Sequence, residues 1–169
     1  MGMFTAVSLL GTPPAAAKPM AAEVLAEGQT SAVLNAKGEN TYPGEWYRNR
    51  LAFRKQWQQV VARHVPKLAM HNWIRNMSGV ETNLENVTLR GKPYVRFWIC
   101  QPHNCPGNTV YVLIDILSDK QDLYAYHVYE VTDPKQAGYK VLRTETRMYG
   151  EPIDFELEHL KEMHREQQP

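Results

Sequence analysis

Tyr94-Val95-Arg96-Phe97-Trp98-Ile99-Cys100-Gln101-Pro102-His103-Asn104-Cys105 is the stretch from which the rest of the chain is read. Its first seven residues alternate, with Val95, Phe97 and Ile99 on one side and Tyr94, Arg96 and Trp98 on the other, the two-residue period of a β-strand. The strand runs into the only two cysteines of the chain, Cys100 and Cys105, followed by Pro106-Gly107. Cysteines this close can close a small ring by disulfide, with Pro102 inside it and His103 near its tip. Residues 110–117, Val-Tyr-Val-Leu-Ile-Asp-Ile-Leu, are the most hydrophobic run and read as a central strand. The cysteine loop therefore joins two strands of one sheet.

Outward from the loop, residues 86–90 and a Gly91-Lys92-Pro93 turn give the preceding strand of a hairpin. Residues 123–131 and 139–146 read as two further strands, separated by turns over 118–122 and 132–138, the second holding Asp133-Pro134. Towards the amino terminus the period changes. Trp46, Phe53, Trp57, Val60, Val61 and His64 recur at spacings of three, four and seven, while Arg48, Arg50, Arg54, Lys55, Gln58 and Gln59 fill the other faces. That pattern predicts one amphipathic helix over 45–64. A second short helix over 67–74 carries Leu68, Met70 and Trp73 and stops at 76–79. Residues 151–168 predict a closing helix with Ile153, Leu157, Leu160 and His164 on one stripe and Pro152 near its first turn, where a missing N–H does no harm. The expected fold class is α+β, a five-stranded antiparallel sheet flanked by helices in an α/β/α sandwich.

Composition bounds what such a domain can be. With 169 residues, 43% of them apolar, the chain can bury a full core without metal or many disulfides. A six-residue ring contributes only roughly 2 kcal/mol by loop-closure entropy, so its expected role is to fix the shape of the loop. The formal net charge of +1 gives no electrostatic case for nucleic acid or an anionic membrane. No run of eighteen or more apolar residues is present to span a bilayer. Residues 1–17, mostly apolar and ending in Pro13-Pro14-Ala15-Ala16-Ala17 without a basic start, read as a signal peptide truncated at its front. Residues 18–43 read as a flexible leader with one short helix over 20–27, and residues 44–169 as a single domain. Export would place the protein in an oxidising compartment, where the two cysteines pair.

From about residue 48 to 131 the chain resembles the inhibitor of vertebrate lysozyme (Ivy) family. The resemblance rests on an aromatic helix, a short helix ending in Trp73-Ile74, Val87-Thr88-Leu89, Tyr94-Val95, the Cys100-x-Pro102-His103-x-Cys105 loop and the hydrophobic strand after it. It implies a periplasmic, usually dimeric protein that is no enzyme, needs no cofactor, and pushes this loop into the active-site cleft of a c-type lysozyme. The family's loop reads Cys-Lys-Pro-His-Asp-Cys, so this chain departs at Gln101 and Asn104. Gln101 loses a charge but keeps a hydrogen-bonding tip, and Asn104 can still cap a turn without placing a negative charge beside His103.

The implied chemistry is physically sound. A retaining glycosidase of the lysozyme type sets two carboxyl groups about 5 to 5.5 Å apart, one protonated and one ionised. An imidazole carries nitrogens on opposite edges of one ring, so a single inserted histidine can bond both. A pre-closed ring limits the ordering entropy lost on binding. The target-binding set is therefore Cys100, Gln101, Pro102, His103, Asn104 and Cys105. The same loop can serve against an endogenous lytic transglycosylase, whose cleft also holds a catalytic carboxyl. A metal reading stands beside both, with Cys100, His103 and Cys105 as zinc ligands and His71 or His127 as a fourth. His64, His71, His127, His159 and His164 otherwise read as surface or core-edge residues. The acidic closing helix, with Glu151, Asp154, Glu156, Glu158, Glu162 and Glu166, reads as a solvated face. Trp46, Phe53, Trp57 and Trp73 read as core, with part of that stripe available to a dimer partner.

Overall fold

The computed structural model describes residues 41–118, 122–133, 135 and 140–168. The expected signal peptide and nearly all of the leader lie outside the described residues. In chain order the helices are α1 (Pro43–Asn49), α2 (Leu51–Val60), α3 (Asn72–Arg75) and α4 (Asp154–Glu166). The strands are β1 (Val80–Glu81), β2 (Glu85–Leu89), β3 (Lys92–Cys100), β4 (Asn108–Asp115), β5 (Leu123–Thr132) and β6 (Val141–Tyr149). They form one antiparallel sheet in the order β1-β3-β4-β5-β6, with β2 also paired to β3. Among the described residues the sheet has six strands, where the sequence predicts five. The extra one, β1, is two residues long, too short for a period of two to show.

Alternation in β3 falls as read from the sequence. Val95, Phe97 and Ile99 join Val110, Val112, Ile114, Leu123, Ala125 and Tyr149 on the face covered by the amino-terminal helices. Tyr94 joins Tyr111, Leu113 and Val128 under Leu160 and Met163 of α4, with Trp98 packed at its edge. Both faces of the sheet are thus apolar, which is why β4 reads as a continuous hydrophobic run rather than an alternating one. The β2–β3 hairpin turns one position earlier than predicted. Leu89 pairs with Lys92, and Arg90 and Gly91 both have positive φ, 50° and 78°. That is the backbone of a type I′ turn, whose twist suits the flanking strands and whose second position favours glycine. Lys92 and Pro93 therefore belong to β3.

The predicted amphipathic helix over 45–64 is broken. Arg50 is extended between α1 and α2, and residues 62–64 tighten into a 3₁₀ turn. Hydrophobic spacing registers which side chains face the core, and it survives one residue that leaves the helical backbone. The Arg50 guanidinium lies over the Trp46 ring at 4.1 Å from its centre. All four aromatic residues of the stripe are buried, Trp57 completely, so none is left for a partner. Trp57 donates its indole N–H to the Ile74 carbonyl at 2.8 Å and so ties α2 to α3. The second short helix is likewise smaller than predicted, a 3₁₀ turn over 69–71 followed by α3, with Leu68 and Met70 exposed.

At the carboxy terminus α4 begins at Asp154 and buries Leu160 of the predicted stripe together with Glu156 and Met163, while Leu157 and His164 are only half-buried. Ile153 is exposed. Glu156, expected on the solvated face, accepts a bond from the Tyr94 hydroxyl at 2.6 Å and another from the Ile153 N–H at 3.0 Å. One carboxylate thus caps the helix and anchors it to the sheet, which satisfies a buried charge-bearing group. Its neighbours Glu151, Asp154, Glu158, Glu162 and Glu166 are exposed, as read.

Candidate functional site

The loop at one end of the sheet begins where the β3–β4 ladder ends. Cys100 pairs with Thr109, and the Gln101 N–H adds one more bond to the Asn108 carbonyl at 3.0 Å. Asn104 N–H then returns to the Gln101 carbonyl at 3.0 Å, which closes a four-residue turn over Gln101-Pro102-His103-Asn104. Pro102 supplies the fixed φ wanted at the second position of such a turn. His103 takes the third position with φ of 66°. A positive φ after proline is the pattern of a type II turn, a position usually left to glycine or asparagine. Cys100 and Cys105 are joined by a disulfide with their Cα atoms 4.9 Å apart.

The chemical consequence lies in exposure. Pro102 and His103 stand in solvent, whereas Cys100 is fully buried. Among the described residues the His103 ring makes no hydrogen bond, so neither ring nitrogen is engaged by them.

Behind the loop is a support the sequence does not announce. Asn108 donates from Nδ2 to Gln101 Oε1 at 2.8 Å, and its Oδ1 lies 2.7 Å from His127 Nε2. An amide oxygen only accepts, so His127 carries its proton on Nε2, and Nδ1 faces the Tyr149 hydroxyl at 3.4 Å. Burial, aided by Arg147 and His71, pushes the His127 imidazole down to about 3, which keeps it neutral. Its ring lies against those of Tyr129 and Tyr149 and the edge of Trp73. Thr109 Oγ1 donates to the Cys105 carbonyl at 2.5 Å, and the Glu130 N–H holds the Gly107 carbonyl at 2.8 Å. Gly79 lets the chain pass the base of the ring, since a Cβ there would lie 2.3 Å from the Cys100 carbonyl oxygen.

All six residues read from the sequence as the site come together here, but they are unequal. The Gln101 amide is turned inward onto Asn108, so its tip is engaged in holding the loop. Asn104 closes the turn through its backbone. Sequence reasoning names His127 only as a core-edge residue or a fourth zinc ligand, and it misses Asn108, Thr109, Gly79 and Glu130. Sheet register alone brings His127 to the loop, and no local spacing signals it. For the zinc reading, the two sulfurs are bonded to each other and His127 Nε2 is taken by Asn108. Among the described residues no group of three or more His, Cys, Asp or Glu is placed to hold a metal ion. No helix among them is long and apolar enough to cross a membrane.

Two comparisons bear on this geometry. The profile of the family described as "Inhibitor of vertebrate lysozyme (Ivy)" matches residues 52–144, from within α2 through the loop and into β6. An uncharacterized protein of Pseudomonas aeruginosa is 29% identical over 90 residues, covering 50% of this chain and 55% of that protein. The chain thus matches about half the length of that curated relative.

Proposed function

Because the chain belongs to the inhibitor of vertebrate lysozyme family, whose profile covers more than half of it, we propose that it inhibits a c-type lysozyme by seating the Cys100–Cys105 loop in the active-site cleft. The observation that carries this reading is His103, an exposed imidazole at the tip of a disulfide-closed turn, held in a left-handed conformation that most side chains avoid. The ring offers hydrogen bonds from opposite edges to two carboxyl groups about 5 to 5.5 Å apart. It then occupies the space the scissile sugar needs. The turn and the disulfide order the loop before binding, so little conformational entropy remains to be lost in the complex. On this reading the protein is a binding partner rather than a catalyst. We also propose periplasmic residence, which the family likeness supports, and, as a separate proposal, a homodimer.

The test is a lysis assay with purified c-type lysozyme. His103→Ala is expected to raise the half-inhibitory concentration at least about 30-fold, the loss of a central anchor worth roughly 2 kcal/mol or more. His103→Gly should lose inhibition equally while leaving thermal stability intact, because glycine adopts positive φ without strain. Undiminished inhibition by both variants would remove the loop from the mechanism. A lytic transglycosylase assayed in parallel with the same proteins reports which carboxyl-bearing cleft the loop fits.

A further inference from the structure

On the helix-covered side of β6, a cleft of about 570 Å³ is lined by Val60, Arg63, His64, Arg147, Tyr149 and Glu151, among others. Two arginines from different elements meet in it, and His64 holds both. Arg63 donates from Nε to His64 Nε2 at 2.8 Å, and Arg147 donates from Nη1 to the His64 carbonyl at 3.3 Å. The His64 ring in turn lies beside the buried Tyr149 ring, with centres 6.3 Å apart. Arg63 uses one nitrogen for positioning, and Arg147 also bonds the Tyr149 hydroxyl, which leaves the remaining guanidinium nitrogens for a ligand. Among the described residues neither arginine is in an ion pair, with Glu151 or any other carboxylate. Among the lining residues two guanidinium groups stand against one carboxylate, with Glu145 near Arg147 and itself bonded to Tyr129 and Arg143, whereas the chain as a whole is close to neutral.

We propose that this cleft binds a phosphate group, held between the Arg63 and Arg147 guanidinium groups. One arginine fork satisfies both oxygens of a carboxylate, whereas a phosphate presents three or more and can accept from two forks that approach from different elements. Tethering by His64 reduces the side-chain freedom each arginine would otherwise lose on binding. None of the lining residues belongs to the disulfide loop, although Tyr149 also faces His127 behind it, and the proposal does not depend on lysozyme inhibition.

Titration of the ¹⁵N-labelled full chain with sodium phosphate, against sodium chloride at matched ionic strength, tests the proposal. Saturable shifts are expected at Arg63, His64 and residues 147–150, with affinity at least tenfold weaker in Arg63→Gln/Arg147→Gln. Both positions are exposed, and a circular dichroism melt checks that the variant is folded. Shifts that fail to saturate, or that persist unchanged in the folded double variant, overturn the site. The source of the phosphate is read by co-sedimentation with phosphatidylglycerol vesicles. Sedimentation abolished by the double substitution identifies a lipid headgroup, and no sedimentation beside a saturating phosphate titration identifies a soluble phosphate compound.

Discussion

His103 occupies a turn position where a side chain costs conformational energy, and it does so with its ring in solvent. Such a cost is stable only if neighbouring residues over-determine the backbone. Here the disulfide, the Asn104-to-Gln101 bond and the chain Gln101–Asn108–His127 do so. Asn108→Ala strips partners from Gln101 and His127 together, so we expect a loss of about 1–3 kcal/mol in chemical denaturation and weaker lysozyme inhibition, with the inhibition effect larger than unfolding alone explains. His127 gives a pH signature. Its folded value lies near 3, below the ordinary value of 6.5. The unfolded chain therefore takes up a proton first as pH falls. Stability is full above 6.5 and declines through the interval from 6.5 towards 3, by at most about 1.4 kcal/mol per pH unit for this group. His71, His159 and His164, each lowered chiefly by burial, act in the same direction. Melting His127→Gln beside the wild type from pH 4 to 7 should show the shallower slope in the variant.

At the scale of elements, the amino-terminal helices are short and depend on what they pack against. α2 has ten residues and α3 has four, lengths that do not hold alone in water. Trp57 carries both, through its buried ring and its bond to the Ile74 carbonyl. Trp57→Ala is expected to cost about 3–5 kcal/mol by calorimetry or denaturant midpoint, among the largest losses available to a single substitution in this domain. α4 is anchored differently, by one buried carboxylate. Glu156 lies on the inward side because the Tyr94 hydroxyl meets it there. A pattern that sorts residues into apolar and polar faces puts Glu156 in water and overlooks Met163, which is why the predicted stripe is rotated.

For the whole molecule, two apolar cores on opposite faces of one sheet leave the loop with little part in overall stability. Cys100→Ala/Cys105→Ala, which puts no hydroxyl into the buried Cys100 position, is therefore expected to lose only about 2 kcal/mol of stability. Inhibition should fall much further, because the loop then has to be ordered on binding. A double variant that inhibits as well as the wild type would show that the strands and turn alone shape the loop. Sequence alone determined the strand–loop–strand order around Cys100 and Cys105, the side of the sheet each β3 residue faces, the aromatic core and His103 as the exposed tip. These follow from periods and turn chemistry that act between residues near in the chain. The tertiary structure decided the break at Arg50, the buried Glu156, the inward turn of Gln101, the support from Asn108 and His127, and the meeting of Arg63 with Arg147. Apart from the break at Arg50, each of these depends on a partner supplied by another element, and contacts between residues of different elements leave no period in the sequence.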